Sequence, residues 1–397
     1  MTFPVIGVVG GGQLARMMVP AAVELGLELR VLAEGPEVSA VAAVRTAPIG
    51  DYLDLDALRS FAQGVDVLTF DHEHVPTEHL RTLISEGVNV QPSPEALQYA
   101  QDKLAMRGII QQLGLPNPEW AAVHSPDQLI QFAEEHGWPV VLKTPRGGYD
   151  GKGVRVLRNP EEAIAASDWF GAMSPLLVEE KVDFSRELSA LVSRRPSGET
   201  SAWAVVQSNQ ADGVCDEVIA PAPELISEVS LAAQEAALRI AQELGVTGVM
   251  AVELFETPGR GPGFLINELA MRPHNSGHWS MDGALTGQFE QHLRAVADLP
   301  LGDPELLRRT VMKNILGGSN QDLAAEFSAA LSAEPAVKVH LYGKAVRPGR
   351  KIGHINALAA ENETLDAQRE RAARAAGILR DGGAVVKTRQ QAEQEGQ

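Results

Sequence analysis

Two acidic residues in otherwise apolar segments are the first candidates for chemistry. Glu253 closes the apolar run 248–252, and Glu268 closes the run 263–267 after a turn rich in proline and glycine. We predict that the two runs pair as antiparallel strands, which would bring the carboxylates together. Buried like charges repel, and a divalent cation removes that cost. The pair therefore indicates a magnesium site completed by phosphates and water, with pairing to Arg272 or a lysine as the alternative.

A dense polar run, Met-Arg-Pro-His-Asn-Ser-Gly-His-Trp, follows directly at residues 271–279. Most of these residues can form hydrogen bonds, and two carry imidazoles. Such density beside two acids suits recognition of a polar substrate next to metal-bound phosphates. The alternative is that the histidines only stabilise the local structure. Arg272, His274 and Asn275 are the candidate substrate contacts.

A glycine-rich segment, Arg-Gly-Gly-Tyr-Asp-Gly-Lys-Gly at residues 146–153, lies between two apolar runs typical of strands. It is not a Walker A loop, because Lys152 is followed by glycine and no helical pattern follows. Glycines let backbone N–H groups approach phosphate oxygens, and Lys143 on the preceding run could reach the same phosphates. We predict a nucleotide-binding hairpin, and a flexible surface hairpin is the alternative.

The run 176–182, Leu-Leu-Val-Glu-Glu-Lys-Val, is an apolar strand that turns polar at its end. Its backbone could offer hydrogen bonds to the edge of an adenine ring, and Glu187 further along could hold ribose hydroxyls. An exposed sheet edge is the alternative interpretation.

Another glycine cluster stands near the start of the chain. Gly10, Gly12 and Ala15 follow an apolar run and fit G-x-G-x-x-[GA], and Glu34 stands where a ribose-binding acid would lie. Alone, this pattern favours an NAD-dependent oxidoreductase. A tight strand-to-helix turn that binds nothing explains it as well, and no later segment supplies a hydride-transfer site. We therefore expect no NAD.

The elements that must position these residues indicate an α/β protein. The 397 residues are 44% hydrophobic and 22% charged, which allows several domains with large cores. Strand runs at 5–9, 29–32, 65–69 and 88–90 alternate with helical stretches and predict a parallel sheet. One helical segment is expected at 94–113 and a long helix at 227–244, with β-rich segments around the latter.

Charge and cysteine content narrow the class of partner. The formal net charge is −18, from 34 basic and 52 acidic residues, which argues against a nucleic-acid binder. A local basic cluster can still bind a small anion. Cys215 is the only cysteine, so no disulfide within the chain is expected, in keeping with a cytoplasmic location. The absence of a long apolar run predicts no membrane partner.

Taken together, four segments resemble the ATP-grasp superfamily: LKTPRGGYDGKG, VEEKV, GVMAVELF and INELAMRPHNSGHW. Within it, the chain resembles the N5-carboxyaminoimidazole ribonucleotide synthetase family through GGGQLARM, QDKLAMR and YGKAVRPGRKIGHI. The last motif and RPHNSGHW are the specific ones, because related formyl- and glycinamide-ligases share the ATP-site pattern but differ in both.

The resemblance implies an ATP-grasp fold of mixed α/β and α+β class. It predicts a Rossmann-like N-terminal domain at 1–96, an ATP-grasp domain at 97–305 with a mobile central subdomain at about 118–190, a β-rich C-terminal domain at 306–387 and a polar tail at 388–397. The implied reaction joins aminoimidazole ribonucleotide to bicarbonate through carboxyphosphate, with ATP and two magnesium ions, in purine biosynthesis. A cytoplasmic homodimer is implied as well.

Residue roles follow by matching motif positions. The ATP contacts would be Lys103, Lys143, Gly147, Gly148, Tyr149, Asp150, Gly151, Lys152, Gly153, Glu179, Glu180, Lys181, Val182, Glu187, Gln207, Asn267 and Glu268. The magnesium ligands would be Glu253 and Glu268. The catalytic region would comprise Tyr149, Asp150, Lys152, Arg272, His274 and Asn275, with Asp150 and His274 both open as the base. The ribonucleotide would contact Gln13, Leu14, Glu73, Arg272, His274, Asn275, Lys344, Arg350 and Lys351, the last three at its phosphate.

Three positions depart from the family pattern. Lys103 stands where arginine is usual, the common ENxHxDG is replaced from Gln207 onward, and the neighbours of Glu73 differ. Three rival functions stay open at this point. They are another ATP-grasp ligase such as a formate-dependent glycinamide ribonucleotide transformylase, an NAD-dependent oxidoreductase, and an inactive nucleotide-binding regulator.

Overall fold

The computed structural model describes residues 3–147, 153–211 and 213–383, which form three β-sheets with helices packed around them. Among these residues no helix has both the length and the apolar character needed to cross a membrane.

The first sheet is parallel, as the alternating pattern predicts, with the strand order β2-β1-β3. Its strands are β1 Val5–Val9, β2 Glu28–Leu32 and β3 Val67–Phe70, and its helices are α1 Gln13–Glu24, α2 Leu55–Ala62 and α3 Thr77–Ser85. The strand expected at 88–90 is wrong: only Val90 forms an isolated bridge, to Leu68. Pro92 follows closely and has no N–H to continue a ladder.

The single helical segment expected at 94–113 is instead two helices, α4 Pro94–Gln101 and α5 Lys103–Gln112. Asp102 separates them in an extended conformation, and its carboxylate accepts hydrogen bonds from the N–H groups of Leu104 and Ala105 at 3.0 and 3.1 Å. This N-cap makes Lys103 the first residue of α5.

The second sheet is antiparallel, in the order β4-β7-β5-β6. It comprises β4 Trp120–Val123, β5 Val140–Lys143, β6 Val154–Leu157 and β7 Leu176–Glu180, with helices α6 Pro126–His136, α7 Pro160–Ala165 and α8 Ser167–Ala172. Lys143 lies opposite Val154 in the β5–β6 hairpin, so the glycine-rich segment connects paired strands as predicted.

The third sheet has the order β13-β12-β8-β10-β11-β14-β16-β15, with β9 paired to β8. Its first part comprises β8 Arg186–Arg194, β9 Thr200–Ala202, β10 Val206–Ala211, β11 Val214–Ala220, β12 Gly248–Glu256 and β13 Phe264–Ala270. The helices of this part are α9 Ser227–Glu243, α10 Ser280–Gly283 and α11 Gln288–Val296, with a 3-10 turn at Asn275–Gly277.

The C-terminal strands continue that third sheet, because β11 pairs with β14. They are β14 Thr310–Leu316, β15 Val337–Leu341 and β16 Lys351–Leu358, covered by helices α12 Leu323–Ala333 and α13 Leu365–Asp381. The polar tail predicted at 388–397 lies outside the described residues. One hydrogen-bonded sheet therefore carries both the two predicted acids and Lys351.

Candidate active site

A cavity of about 1090 Å³ is lined by residues of the second and third sheets, together with the start of α1 and the segment that follows β3. Most of the residues matched to the family's site line it together: Gln13, Leu14, Glu73, Lys103, Lys143, Gly147, Glu179, Glu180, Lys181, Val182, Glu187, Glu253, Asn267, Glu268, Arg272, His274, Asn275, Lys344, Arg350 and Lys351. Side chains that are far apart in sequence thus share one space.

Some of the predicted residues do not line this cavity or cannot be placed. Gly148, Tyr149, Asp150, Gly151 and Lys152 lie outside the described residues, and Gly153 is described but does not line the cavity. Gln207 is also absent from the lining: its amide oxygen accepts a hydrogen bond from Arg186 at 3.0 Å and its amide nitrogen donates to Asn209 at 2.8 Å.

Gln210 lines the cavity where Gln207 does not. A register shift in the β10–β11 ladder between Asn209 and Gln210 changes the pairing at this point. The side chain of Gln210 forms a hydrogen bond with Glu187, and burial raises the pKa of that carboxyl. The replaced ENxHxDG segment therefore contributes Gln210 to the cavity.

The two acids form the antiparallel pair that the sequence predicts, with Glu253 directly opposite Glu268 on β12 and β13. The register then shifts so that Leu254 faces Ile266, which leaves Asn267 as the extra residue of a bulge. Burial, together with the nearby charges of Glu268 and Glu187, raises the pKa of Glu253 to about 8. A positive charge between the two carboxylates would therefore stabilise their ionised forms.

Two cationic or polar side chains approach the acids. Lys103 Nζ lies 3.5 Å from Glu268 Oε1, and His274 Nε2 lies 3.4 Å from Glu253 Oε1. In the described part of the chain no three His, Cys, Asp or Glu residues are grouped to hold a metal unaided. Two carboxylates facing a cavity, one of them costly to ionise alone, fit a magnesium ion whose remaining ligands are phosphates and water.

His274 is a neutral side chain in this arrangement. Burial lowers its pKa to about 3, with the positive charges of Arg272 and Lys351 acting in the same direction. Its Nδ1 accepts a hydrogen bond from the N–H of Ser276 at 3.3 Å, so the ring proton of the neutral form is on Nε2. His274 therefore presents a donor toward Glu253.

Arg272 and Glu73 join the polar run to the first sheet. Arg272 Nε lies 3.4 Å from Glu73 Oε2, and the other oxygen of Glu73 accepts a hydrogen bond from the N–H of Met271 at 2.6 Å. Glu73 is 6% exposed, so these contacts are largely shielded from water. Glu73, the acid that this chain shares with the family in segment 69–74, thus orients Arg272, a candidate substrate contact.

The part of the cavity predicted to bind the nucleotide contains a buried cluster of three charged side chains. Glu179 Oε2 lies 2.6 Å from Lys143 Nζ, and Glu179 Oε1 accepts a hydrogen bond from Arg107 Nε at 2.5 Å. The carboxylate of the neighbouring Glu180 binds Arg260 at 2.5 and 2.8 Å. Because both carboxylates are engaged by cations, a purine at this segment would meet its backbone.

Several residues that line the cavity were not predicted as site residues: Arg146, Phe184, Gln210, Cys215, Phe255, His74 and His278. The rings of Phe184 and Phe255 are stacked with centroids 4.6 Å apart, which offers an apolar surface to a flat ring. Phe255 was detectable because it lies two residues after Glu253 on the same strand. Phe184 carries no such signal.

Lys344, Arg350 and Lys351 also line the cavity, where they form a basic cluster. Burial lowers the pKa of Lys344, and the nearby charge of Arg350 acts in the same direction. Lys344 Nζ also donates a hydrogen bond to Gln13 Oε1, which links the cluster to the start of α1. Like charges held together in this way favour a polyvalent anion such as a phosphate.

The first glycine cluster is occupied by the protein's own carboxylates. Asp71 accepts a hydrogen bond from the N–H of Ala15 at 3.0 Å, and Glu34 accepts one from the N–H of Gly11 at 2.9 Å. A Cβ on Gly12 would lie 1.9 Å from Asp71 Oδ2. Because Asp71 fills the anion position at the helix N-terminus, this turn is packed against protein and leaves no room for a dinucleotide phosphate.

Three family models match consecutive parts of the chain. The ribonucleotide synthetase preATP-grasp domain matches residues 3–101, the ATP-grasp domain residues 108–289, and the phosphoribosylaminoimidazole carboxylase C-terminal domain residues 310–368.

Relatives match over nearly the whole chain. The N5-carboxyaminoimidazole ribonucleotide synthase of Mycobacterium bovis is 51% identical over 375 residues, 93% of this chain and 87% of that protein. The synthetase structure from Thermus thermophilus has a TM-score of 0.84 at 38% identity, covering 94% and 98% of the two chains. A synthase structure from Aspergillus clavatus, in complex with ADP and 5-aminoimidazole ribonucleotide, has a TM-score of 0.84 at 30% identity, covering 95% and 98%. With the motifs, the fold and these matches in agreement, the chain belongs to the N5-carboxyaminoimidazole ribonucleotide synthase family of ATP-grasp enzymes.

Proposed function

We propose that this protein carboxylates the amine of 5-aminoimidazole ribonucleotide with bicarbonate, consuming ATP and releasing ADP and phosphate in purine biosynthesis. The observation that carries the proposal is the single cavity, which is lined by both the Glu253–Glu268 pair and the Lys344, Arg350 and Lys351 cluster. The acid pair suits a nucleotide with its metal, and the basic cluster suits the phosphate of a second ligand. The relative from Aspergillus clavatus was solved with ADP and 5-aminoimidazole ribonucleotide together.

The reaction requires activation because bicarbonate is a poor electrophile that would have to expel hydroxide. Transfer of the γ-phosphoryl group of ATP to bicarbonate gives carboxyphosphate, whose leaving group is phosphate. Such transfers depend mainly on positioning and on neutralising charge. Lys143 and Lys103 supply positive charge on this side of the cavity, and the segment 147–153 is proposed to cover the phosphates and exclude water.

Magnesium is proposed as the cofactor, with Glu253 and Glu268 as its protein ligands and two ions as the stoichiometry. When bound, it would neutralise charge on the nucleotide phosphates. The support is the carboxylate pair itself, in which Glu253 has a pKa raised to about 8 by burial and by its acidic neighbours. Asn267, the bulged residue beside Glu268, is proposed to contact the nucleotide as well.

The amine then attacks the carboxyl carbon of carboxyphosphate, the C–O bond to the phosphoryl group breaks, phosphate leaves, and the nitrogen loses a proton. Of the two bases left open by the sequence, we propose Asp150 on its motif position. His274 has Nδ1 engaged by Ser276 and its proton on Nε2, so it is suited to donate to a developing carboxylate. Arg272 is proposed to hold the carboxylate oxygens through its forked guanidinium.

The substrate would be oriented from its remote end. Lys344, Arg350 and Lys351 are proposed to bind the ribonucleotide phosphate, and Gln13, Leu14 and Glu73 to contact the rest of it. Tyr149 and Lys152 are proposed for the carboxylation region on their motif positions. We also propose a cytoplasmic homodimer with domains at 1–96, 97–305 and 306–387, on the family likeness.

A phosphate-release assay with single components omitted tests the proposal. Purified protein with ATP and magnesium should release phosphate rapidly only when bicarbonate and 5-aminoimidazole ribonucleotide are both present. Equal stimulation by glycinamide ribonucleotide with formate would instead support the transformylase alternative. Absence of any magnesium-dependent turnover would support an inactive nucleotide-binding regulator.

A further inference from the structure

Arg107 is a fully buried arginine that ends the QDKLAMR motif and to which the sequence analysis gave no role. It lies on α5 with 0% exposure, and its guanidinium contacts two different sheets. Nε donates to Glu179 Oε1 at 2.5 Å on the four-stranded sheet, and Nη1 donates to the backbone oxygen of Ile266 at 2.7 Å on the nine-stranded sheet. Nη1 also donates to Asn117 Oδ1 at 3.1 Å. Burying a charged side chain is costly unless it is paired, so the position of Arg107 calls for an explanation.

Both contacts end at residues next to the nucleotide site. Ile266 directly precedes Asn267 and Glu268, the bulge and the acid that line the cavity. Glu179 holds Lys143 Nζ through its second oxygen at 2.6 Å. On one sheet, Arg107 therefore contacts the side chain of Glu179, which binds Lys143. On the other, it contacts the backbone of Ile266, next to Asn267 and Glu268.

The net charge of the cluster formed by Arg107, Glu179 and Lys143 decides whether Lys143 has positive charge to offer a phosphate. With Arg107 present, one buried carboxylate is shared by two cations, so the cluster has a net positive charge. Burial alone would raise the pKa of Glu179, but the charges of Lys143 and Arg107 hold it at about 2, so the carboxylate is ionised. Without Arg107, Glu179 and Lys143 would neutralise each other as a simple pair, and the positive field facing the phosphates would be lost.

We propose that Arg107 is a positioning residue for the nucleotide: it compensates the charge of Glu179 so that Lys143 acts on the phosphates. The proposal rests on the nucleotide role of Lys143 given above. It adds a residue that contacts neither the substrate nor the metal.

A double-mutant cycle with Mg-ADP as the probe tests this role by calorimetric titration. Arg107→Met should weaken ADP binding about tenfold, since the cluster loses its net charge. Adding Glu179→Gln to that variant frees Lys143 and should restore affinity to within about threefold of the parent. A double variant as weak as Arg107→Met alone would overturn the proposal, because a merely structural arginine would not be rescued by removing its partner. If Arg107→Met does not fold, Arg107→Gln takes its place in the same cycle.

Arg371 provides a matched control. It donates to the Glu363 carboxylate at 2.8 Å and to the backbone oxygen of Leu358 at 2.7 Å, the same kinds of contact, but it does not line the cavity. Arg371→Met should lower the melting temperature while leaving ADP affinity within about twofold. An equal loss of ADP affinity in Arg371→Met would attribute the effect to general destabilisation and overturn the proposal.

Arg107→Lys separates charge from geometry. It keeps the positive charge beside Glu179 but cannot also fork to Ile266, so ADP affinity should stay within about threefold of the parent. Affinity as low as that of Arg107→Met would contradict charge compensation. A parent protein that fails to bind Mg-ADP would instead refute the proposed function, so the two failures are distinguishable.

Discussion

His292 Nε2 lies 2.9 Å from Thr69 Oγ1, a contact that joins α11 to the last strand of the parallel sheet. The other ring nitrogen, Nδ1, accepts a hydrogen bond from the N–H of Val249 at 3.1 Å, at the start of the strand that carries Glu253. A Cβ on Gly248, whose φ is +98°, would lie 2.7 Å from the ring, so glycine is required there. One buried imidazole thus connects the first sheet to the strand of the acid pair.

The first prediction concerns the pH dependence of stability. Burial lowers the pKa of His292 from 6.5 to about 3, so between these values the unfolded chain binds a proton that the folded chain does not. Stability from this group is therefore complete above pH 6.5 and is lost as the pH falls, by about 2 kcal/mol at pH 5. Urea unfolding of the parent and of His292→Gln at pH 7 and pH 5 measures it. The variant should lose less stability than the parent between these values, and equal losses would refute the assignment.

The second prediction concerns Glu268. Changing it to glutamine removes one of two facing acids, so the ligand-free protein should melt no lower than the parent, because the repulsion with Glu253 is relieved. Turnover should fall at least about 100-fold as magnesium binding weakens. Phosphate release and melting temperature, each measured with and without Mg-ATP, provide the test. Retained activity at ordinary magnesium concentration would remove Glu268 from the proposed metal site.

The third prediction concerns the basic cluster. Lys344→Met should raise the KM for 5-aminoimidazole ribonucleotide about 10- to 100-fold, because a charged hydrogen bond to phosphate is lost, while ADP affinity stays unchanged. Lys338→Met, an exposed lysine of β15 that does not line the cavity, is the matched control and should leave both values unchanged. A rise in the KM for ATP alone would mean that Lys344 binds ATP and not the ribonucleotide.

The fourth prediction concerns the first glycine turn. Gly12→Ala places a methyl group 1.9 Å from Asp71 Oδ2, so it should destabilise the fold by about 1–3 kcal/mol. Gly35→Ala, where a Cβ meets nothing within 4 Å, is the control and should change stability little. Chemical unfolding of both variants measures the difference. Equal stability would mean that Asp71 moves aside without cost, which would contradict the tight packing of this turn.

Sequence patterns were sufficient for the fold class and for the acid pair. The parallel first sheet and the pairing of Glu253 with Glu268 are confirmed, because alternation of strands and helices and two apolar runs around a short turn leave few other arrangements. The break at Asp102 escaped, since a capping carboxylate inside a helical stretch gives no periodic signal. The domain boundaries and residue roles stay predictions.

The differences between the predicted site residues and the cavity lining have physical causes too. Gln207 was selected by its position within a motif, whereas Gln210, which follows a register shift in the β10–β11 ladder, lines the cavity. Arg107 resembles any solvent-facing arginine of an amphipathic helix, and its burial depends on two sheets that are remote in sequence. Contacts of this kind are visible only once the sheets are assembled.

The continuity of the nine-stranded sheet has a consequence for substrate length. Glu253 on β12 and Lys351 on β16 are five strand steps apart, which in a flat ladder would be about 24 Å. Yet both side chains line one cavity, as the twist of a large sheet allows. The distance between the proposed phosphoryl donor and the proposed ribonucleotide anchor is then set by the curvature of the backbone, and we expect a ribonucleotide longer or shorter than that distance to place its amine out of reach.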